Sequence, residues 1–140
     1  MTPAIDTNVI VALCDRDSVL SAAAQSSLDS AFRGGNLIVA GPVFSELMAA
    51  PGRDEGFLDL FLRDTGIAVD WDLDQATWRS AGRAYQAYAA DRRKQRDAAP
   101  RRILADFLIG AHALRRGFRL LTLDDRIYRR AFPGLAIARV

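Results

Sequence analysis

The alternation of short apolar runs with longer amphipathic stretches predicts an α/β fold, a parallel sheet with helices on both faces. Three observations carry that expectation. Leu37-Ile38-Val39-Ala40 is an unbroken apolar run of the length a fully buried strand needs. Ile103 to Arg116 is apolar around most of its circumference and is stopped by Gly117, as a buried helix would be. Strand-like and helix-like segments also alternate along all 140 residues, with no internal repeat, linker or low-complexity stretch. One domain spanning 1–140 is therefore expected, long enough to bury a substantial core.

Taken in order, Ala4 to Asp6 reads as a short strand end and Val9 to Asp15 as the helix it feeds. Ser18 can cap a second helix through Ala22, Leu28 and Phe32, ended by Gly34-Gly35. After the strand at 37–40, Gly41-Pro42 opens a third helix with proline near its first turn, and Pro51-Gly52 closes it. Phe57, Leu58, Phe61 and Leu62 mark a fourth helix, and Ile67 to Val69 a third strand. Asp74 is placed to cap a long helix containing Trp78, Ala81, Tyr85 and Tyr88. Aromatics at that spacing usually face inward, so these and Trp71 are expected in the core, with a dimer face as the alternative. Polar Asp91 to Arg102 is a loop or a helix extension. Phe118 to Thr122 reads as a fourth strand and Ala136 to Ala138 as a fifth.

Half of the residues are hydrophobic and 26% are charged, a globular composition that argues against disorder. The single cysteine, Cys14, cannot form an internal disulfide and is expected to be a buried, reduced thiol. No cationic, apolar leader is visible and no apolar run approaches the ~18 residues of a membrane span, so a soluble cytoplasmic protein is expected. The net charge of +2 conceals a segregation: residues 1–91 carry −7 and residues 92–140 carry +9. Eighteen of the nineteen basic residues are arginine, which favours bidentate phosphate contacts. Such asymmetry points to a polyanionic partner; biased base composition of the genome accounts for part of the arginine excess but not for its location.

Four carboxylates are wrapped in apolar residues: Asp6, Glu46, Asp106 and Asp124. A carboxylate taken out of water costs several kcal/mol unless it is compensated, and no Lys or Arg adjoins the first three. A shared divalent cation is the simplest compensation. In an open α/β sheet ligands bind at the carboxyl ends of strands, where Asp6 and Asp124 would emerge. Mg²⁺ and Mn²⁺ take hard oxygen ligands and, on a phosphodiester, stabilise charge and orient water. Each residue also has a plainer role open to it. Asp6 can cap the helix after it, Glu46 can face solvent beside Ser45, and Asp124 or Asp125 can cap the helix Arg126 to Phe132. Asp106 has the least room for such a role, because positions 103, 104, 107, 108, 109 and 111 are apolar. Lone His112 reads as a packed histidine rather than a contact at the rim of a site.

Together, Ile5-Asp6-Thr7-Asn8-Val9-Ile10, Ser45-Glu46-Leu47, Asp106-Phe107-Leu108-Ile109-Gly110-Ala111-His112-Ala113 and Leu121-Thr122-Leu123-Asp124 resemble a PIN domain. More narrowly, the chain resembles VapC-type toxins of type II toxin–antitoxin modules. The resemblance implies a three-layer α/β/α sandwich around a short parallel sheet and a metal-dependent endoribonuclease that hydrolyses RNA. It implies Mg²⁺ or Mn²⁺ as cofactor, a cognate VapB-like antitoxin as partner, and a homodimer or a larger toxin–antitoxin assembly. Carried over by position, Asp6, Glu46, Asp106 and Asp124 match the acidic metal site, and Asn8 and Thr122 match its supporting polar positions. The adjacent acids Asp124 and Asp125 leave the fourth assignment open; spacing from Thr122 favours Asp124, and Asp125 would then cap a helix or hold an arginine.

Arg92, Arg93, Lys94, Arg96, Arg101 and Arg102 lie within eleven residues just before Asp106, and Arg115 and Arg116 belong to a second cluster with Arg119, Arg126, Arg129 and Arg130. An acidic centre repels a polyanion, so cationic flanks are what a nuclease needs, although a solvated surface produces the same pattern. Among competing functions, an aspartyl-phosphate phosphatase wants a second Asp where Asn8 stands, and a receiver domain wants a late-strand Lys where none exists. A flap-type DNA nuclease needs an arch insertion that 140 residues do not hold. A catalytically silent binding module on the same fold, or another metal-dependent DNA nuclease, is the remaining alternative.

Overall fold

The computed structural model describes residues 2–15, 19–33, 35–50, 52–94 and 104–140. Among the described residues five parallel strands form one sheet: β1 Pro3–Ile5, β2 Ile38–Ala40, β3 Ala68–Asp70, β4 Arg119–Thr122 and β5 Ile137–Arg139. Their spatial order is β3-β2-β1-β4-β5. β1 is central, paired to β2 through Ala4↔Ile38 and to β4 through Pro3↔Arg119, Ala4↔Leu120 and Ile5↔Leu121. Among the described residues seven helices accompany the sheet: α1 Thr7–Cys14, α2 Ser21–Arg33, α3 Gly41–Met48, α4 Glu55–Thr65, α5 Gln75–Lys94, α6 Leu104–Arg116 and α7 Arg126–Ala131. The result is the three-layer α/β/α sandwich expected from the sequence.

Local chemistry explains the boundaries. The Asp54 side chain accepts from the Phe57 N–H at 2.8 Å and starts α4; Asp74 does the same for the Thr77 N–H and starts α5. Pro42 sits in the first turn of α3, where its missing N–H costs nothing. Gly66 and Gly117, with φ of 71° and 70°, adopt the left-handed conformation that ends α4 and α6. The Ser18 cap, the Gly34 and Pro51 breaks and the Ile103 helix start lie outside the described residues.

Val39 of β2 and Leu120 of β4 share one core with Val9, Ile10, Val43, Leu47 and Phe107 from the helices, all essentially inaccessible to water. α6 is the most buried helix, with seven consecutive residues from Phe107 to Ala113 buried. The aromatic expectation divides. Tyr88 is buried, and Tyr85 stacks on Phe107 with ring centroids 4.7 Å apart. Trp71 and Trp78, however, are 66% and 49% exposed, so they are not core residues. The inward stripe of α5 runs through Thr77, Ala81 and Tyr88, and Trp78 lies one residue, about 100° of helix, off it. Trp71 lies in the β3–α5 link and meets Phe44 edge-on at 5.2 Å. Cys14 is half-buried rather than buried, and burial raises its thiol pKa against the opposing influence of Arg53.

Candidate metal centre

The chain leaves β1 for β2 and β3 on one side, then returns to place β4 and β5 on the other. The crevice beyond the carboxyl ends of β1 and β4 is therefore the topological switch point of the sheet, where open α/β folds bind ligands. Asp6 directly follows β1, and Thr122 ends β4 with Asp124 two residues later. Glu46 comes in from the second turn of α3, and Asp106 from the first turn of α6. All four carboxylates line one cavity of about 460 Å³, together with Thr7, Asn8 and Tyr128. Its walls also hold Val11, Leu123 and Ile127, so acidic groups open into a partly apolar recess.

A hydrogen-bond web fixes this arrangement. Asp6 is 5% exposed; its Oδ1 accepts the Thr7 N–H at 2.8 Å, making it the N-cap of α1. The cap is only half of its role, since Oδ2 accepts from the Thr122 hydroxyl at 2.8 Å and the Tyr128 hydroxyl at 2.9 Å. Thr122, fully buried, accepts in turn from the Asp124 N–H at 3.2 Å and from Asn8 Nδ2 at 3.3 Å. Asn8 Oδ1 accepts the Leu123 N–H at 3.2 Å, stapling α1 to the end of β4. Glu46 is half-buried, not solvent-facing, and accepts from Thr7 Oγ1 at 2.6 Å.

Electrostatics follow from the burial. Burial pushes the Asp6 carboxyl up to about 6; hydrogen bonds from Thr122, Tyr128 and Thr7 oppose the rise and the charge of Asp106 adds to it. Burial, then the negative charges of Asp6, Asp106 and Glu46, hold the Tyr128 phenol far above its usual range, so it is a fixed proton donor. Asp124 lies in the fork of Arg126, with Nε to Oδ1 at 2.9 Å and Nη2 to Oδ2 at 2.8 Å. Asp125 points elsewhere: Arg129 bonds it and holds its carboxyl below the usual range, and it does not line the cavity.

The donor set is all hard oxygen, which suits Mg²⁺ or Mn²⁺ rather than a tetrahedral zinc site. As the side chains lie, no three Asp, Glu, His or Cys among the described residues close into a ligand cage. Mg²⁺ keeps several waters and takes one or two carboxylates, so an open acidic recess fits it where a closed protein cage is missing. Asp6, Glu46 and Asp106 are the residues able to hold such an ion. Asp124 can join them by leaving Arg126.

Other singled-out residues go elsewhere. Arg92, Arg93 and Lys94 form the last turn of α5, which precedes the segment leading to Asp106, while Arg96, Arg101 and Arg102 lie outside the described residues. Arg115 and Arg116 sit at the opposite end of α6 from Asp106, roughly 14 Å along the helix axis. Arg116 there pairs with Asp70 at 3.2 Å, so the fold does not bring these two to the cavity. His112 is a packed histidine, 1% exposed, with Nε2 2.9 Å from Asp70 Oδ2. Two participants were not singled out in the sequence, Thr7 and Tyr128. Thr7 stood inside the Asp-Thr-Asn segment; Tyr128 was signalled only by a hydroxyl at an otherwise apolar helix position beside Ile127.

A family model described as PIN domain matches residues 4–133, which is nearly the whole chain. The chain belongs to the PIN-domain family. Its fold is similar to that of a chain in VapBC2 from Rickettsia felis, solved bound to a DNA fragment from their promoter (16% identity, TM-score 0.64, 100% of this chain and 99% of that one). It is similar as well to a chain of VapBC-1 from nontypeable Haemophilus influenzae (18%, TM-score 0.65, 99% and 98%) and of FitAcB from Neisseria gonorrhoeae (18%, TM-score 0.63, 96% and 95%). No curated protein sequence matches the chain.

Proposed function

We propose that this protein is a Mg²⁺- or Mn²⁺-dependent endoribonuclease acting as the toxin of a type II toxin–antitoxin pair. The observation that carries the reading is the convergence of Asp6, Glu46, Asp106 and Asp124, from four separate elements, on one cavity at the sheet's switch point. Membership of a family whose members are generally nucleases supports it. Likeness in fold to chains from VapBC and FitAcB assemblies supports a VapC-type toxin neutralised by a VapB-like antitoxin.

In this reading Asp6, Glu46 and Asp106 hold the ion and Asp124 completes the pocket. Thr7 and Thr122 keep Glu46 and Asp6 in place, Asn8 keeps Thr122 in place, and Asp125 belongs to the surface pair with Arg129. When bound, the divalent ion supplies Lewis acidity toward a phosphodiester and acidifies water. The apolar wall of Val11, Leu123 and Ile127 limits bulk solvent at the carboxylates. Arg92, Arg93 and Lys94 hold the RNA backbone against the repulsion of the acidic recess, with Arg96, Arg101 and Arg102 in the same stretch of chain. An antitoxin segment bearing arginine would occupy the cavity as Arg126 occupies Asp124. The exposed Trp71 and Trp78 support a homodimer face. No helix among the described residues is long and apolar enough to cross a membrane, in keeping with a cytoplasmic site of action.

The test is incubation of total cellular RNA with the purified protein in Mg²⁺, Mn²⁺ or EDTA, beside Asp6→Asn. Discrete fragments that require metal and vanish in the variant are expected. Folded protein that leaves RNA intact in both metals overturns the assignment.

A further inference from the structure

Tyr128 has a feature the site does not otherwise require. Its ring is 2% exposed and packs where a Cβ on Gly110 would come within 3.1 Å of it, so a phenylalanine would fill the same space. A buried phenolic hydroxyl is costly unless bonded, and the bond it makes is to Asp6 Oδ2 at 2.9 Å. Thr122 supplies a second donor to that same oxygen at 2.8 Å. The Thr122 hydroxyl accepts from Asn8 and Asp124, and its one proton has two acceptors in reach, Asp6 Oδ2 at 2.8 Å and the Asp124 carbonyl at 3.1 Å; the shorter contact, to a carboxylate, is the stronger one. Two donors fill the lone pairs of Oδ2. Oδ1 accepts one N–H, from Thr7, and keeps one lone pair. Gly110 lies one turn along α6 from Asp106, so the same ring also seats the helix that carries the second acid.

We propose that Tyr128 is a positioning residue for the metal centre: its hydroxyl, with that of Thr122, withholds Asp6 Oδ2 from coordination and presents Oδ1 as the one ligand atom of Asp6. This rests on the metal-site reading above and adds a residue to it. Without the hydroxyl, Oδ2 regains a free lone pair and the carboxylate can swing.

The experiment is calorimetric titration of Mn²⁺ into the wild-type protein, Tyr128→Phe and Asp6→Asn. Loss of a group that orients a metal ligand costs about 10–100-fold in metal affinity, and that weakening is expected for Tyr128→Phe, with kcat reduced and KM for RNA unchanged. Wild-type binding that needs Asp6 but is matched within twofold by Tyr128→Phe overturns the Tyr128 proposal and leaves the nuclease standing. No Mn²⁺ binding by wild type overturns both. Should Tyr128→Phe not fold, fluorotyrosine in the wild-type chain carries the test, since the chain has three tyrosines, Tyr85, Tyr88 and Tyr128. The ¹⁹F resonance of position 128, assigned by elimination with Tyr85→Phe and Tyr88→Phe, is expected to move on saturation with Mg²⁺. A resonance that stays fixed overturns the proposal.

Discussion

Burial pushes the Asp6 carboxyl from an ordinary 3.8 up to about 6, because it penalises the charge by more than the hydrogen bonds from Thr122 and Tyr128 relieve it, and the neighbouring Asp106 adds to the rise. The native state therefore holds this proton more tightly than the unfolded chain does. The stability contributed by protonated Asp6 is fully present below pH 3.8 and is lost as pH rises through about 6. A shift of this size corresponds to about 3 kcal/mol. Urea unfolding of wild type and Asp6→Asn, in EDTA and across this pH window, isolates the effect. Carboxylates that do not interact with Asp6 cancel in the difference, Asp106 remains as the coupled neighbour, and the altered hydrogen bonds of the asparagine enter as a constant. Wild type should lose about 2 kcal/mol relative to Asp6→Asn between about pH 4 and about pH 7, a midpoint change of roughly 1–2 M urea. Adding Mg²⁺ at neutral pH should restore wild type by about 2.7 kcal/mol at a hundredfold excess over Kd, and should leave Asp6→Asn unmoved. A stability difference independent of pH would refute the reasoning that burial makes the Asp6 charge costly beyond what its hydrogen bonds offset.

Further outcomes follow from the same geometry. Gly110→Ala places a Cβ 2.4 Å from Phe132 Cε2 and should cost about 1–3 kcal/mol in urea unfolding; unchanged stability would mean that α6 and α7 do not meet there. Asp124→Asn should lower the RNA cleavage rate at least tenfold, an order-of-magnitude expectation for a group at the reacting centre. Asp125→Asn, which loses only a pair with Arg129 outside the cavity, should leave that rate within about twofold, and the reverse ranking would exchange the two assignments. Replacing Arg92, Arg93 and Lys94 by alanine should weaken RNA binding and flatten its salt dependence by about 0.7 per lost contact. The pair Arg115→Ala and Arg116→Ala should change neither, as filter binding across a salt series would reveal.

The element sequence was legible because unbroken apolar runs of three to five residues are too short for helices and suit buried strands, and because Gly41-Pro42, Asp74 and Gly117 punctuate the chain with specific chemistry. The four carboxylates were legible for a related reason. Charge amid apolar neighbours is costly enough that its presence implies a purpose. The charge segregation was visible too, but its consequence was not: Arg115 and Arg116 follow Asp106 closely in sequence, yet a helix carries them to the far end of α6 and into the ion pair with Asp70. Trp71 and Trp78 were expected in the core from the spacing of the aromatics and lie on the surface, because Trp71 falls in the link before α5 and Trp78 is rotated off the inward stripe of that helix. Tyr128 stands 122 residues from the oxygen it bonds, and Thr122 stands 116 residues from it. By itself, then, the sequence determined the elements, the layered class and which acids are out of place. Only the tertiary structure decided how those acids are oriented, because a strand order of β3-β2-β1-β4-β5 brings the ends of β1 and β4 side by side. Hydrogen-bond partners across that junction are set by three-dimensional register, and no local pattern encodes it.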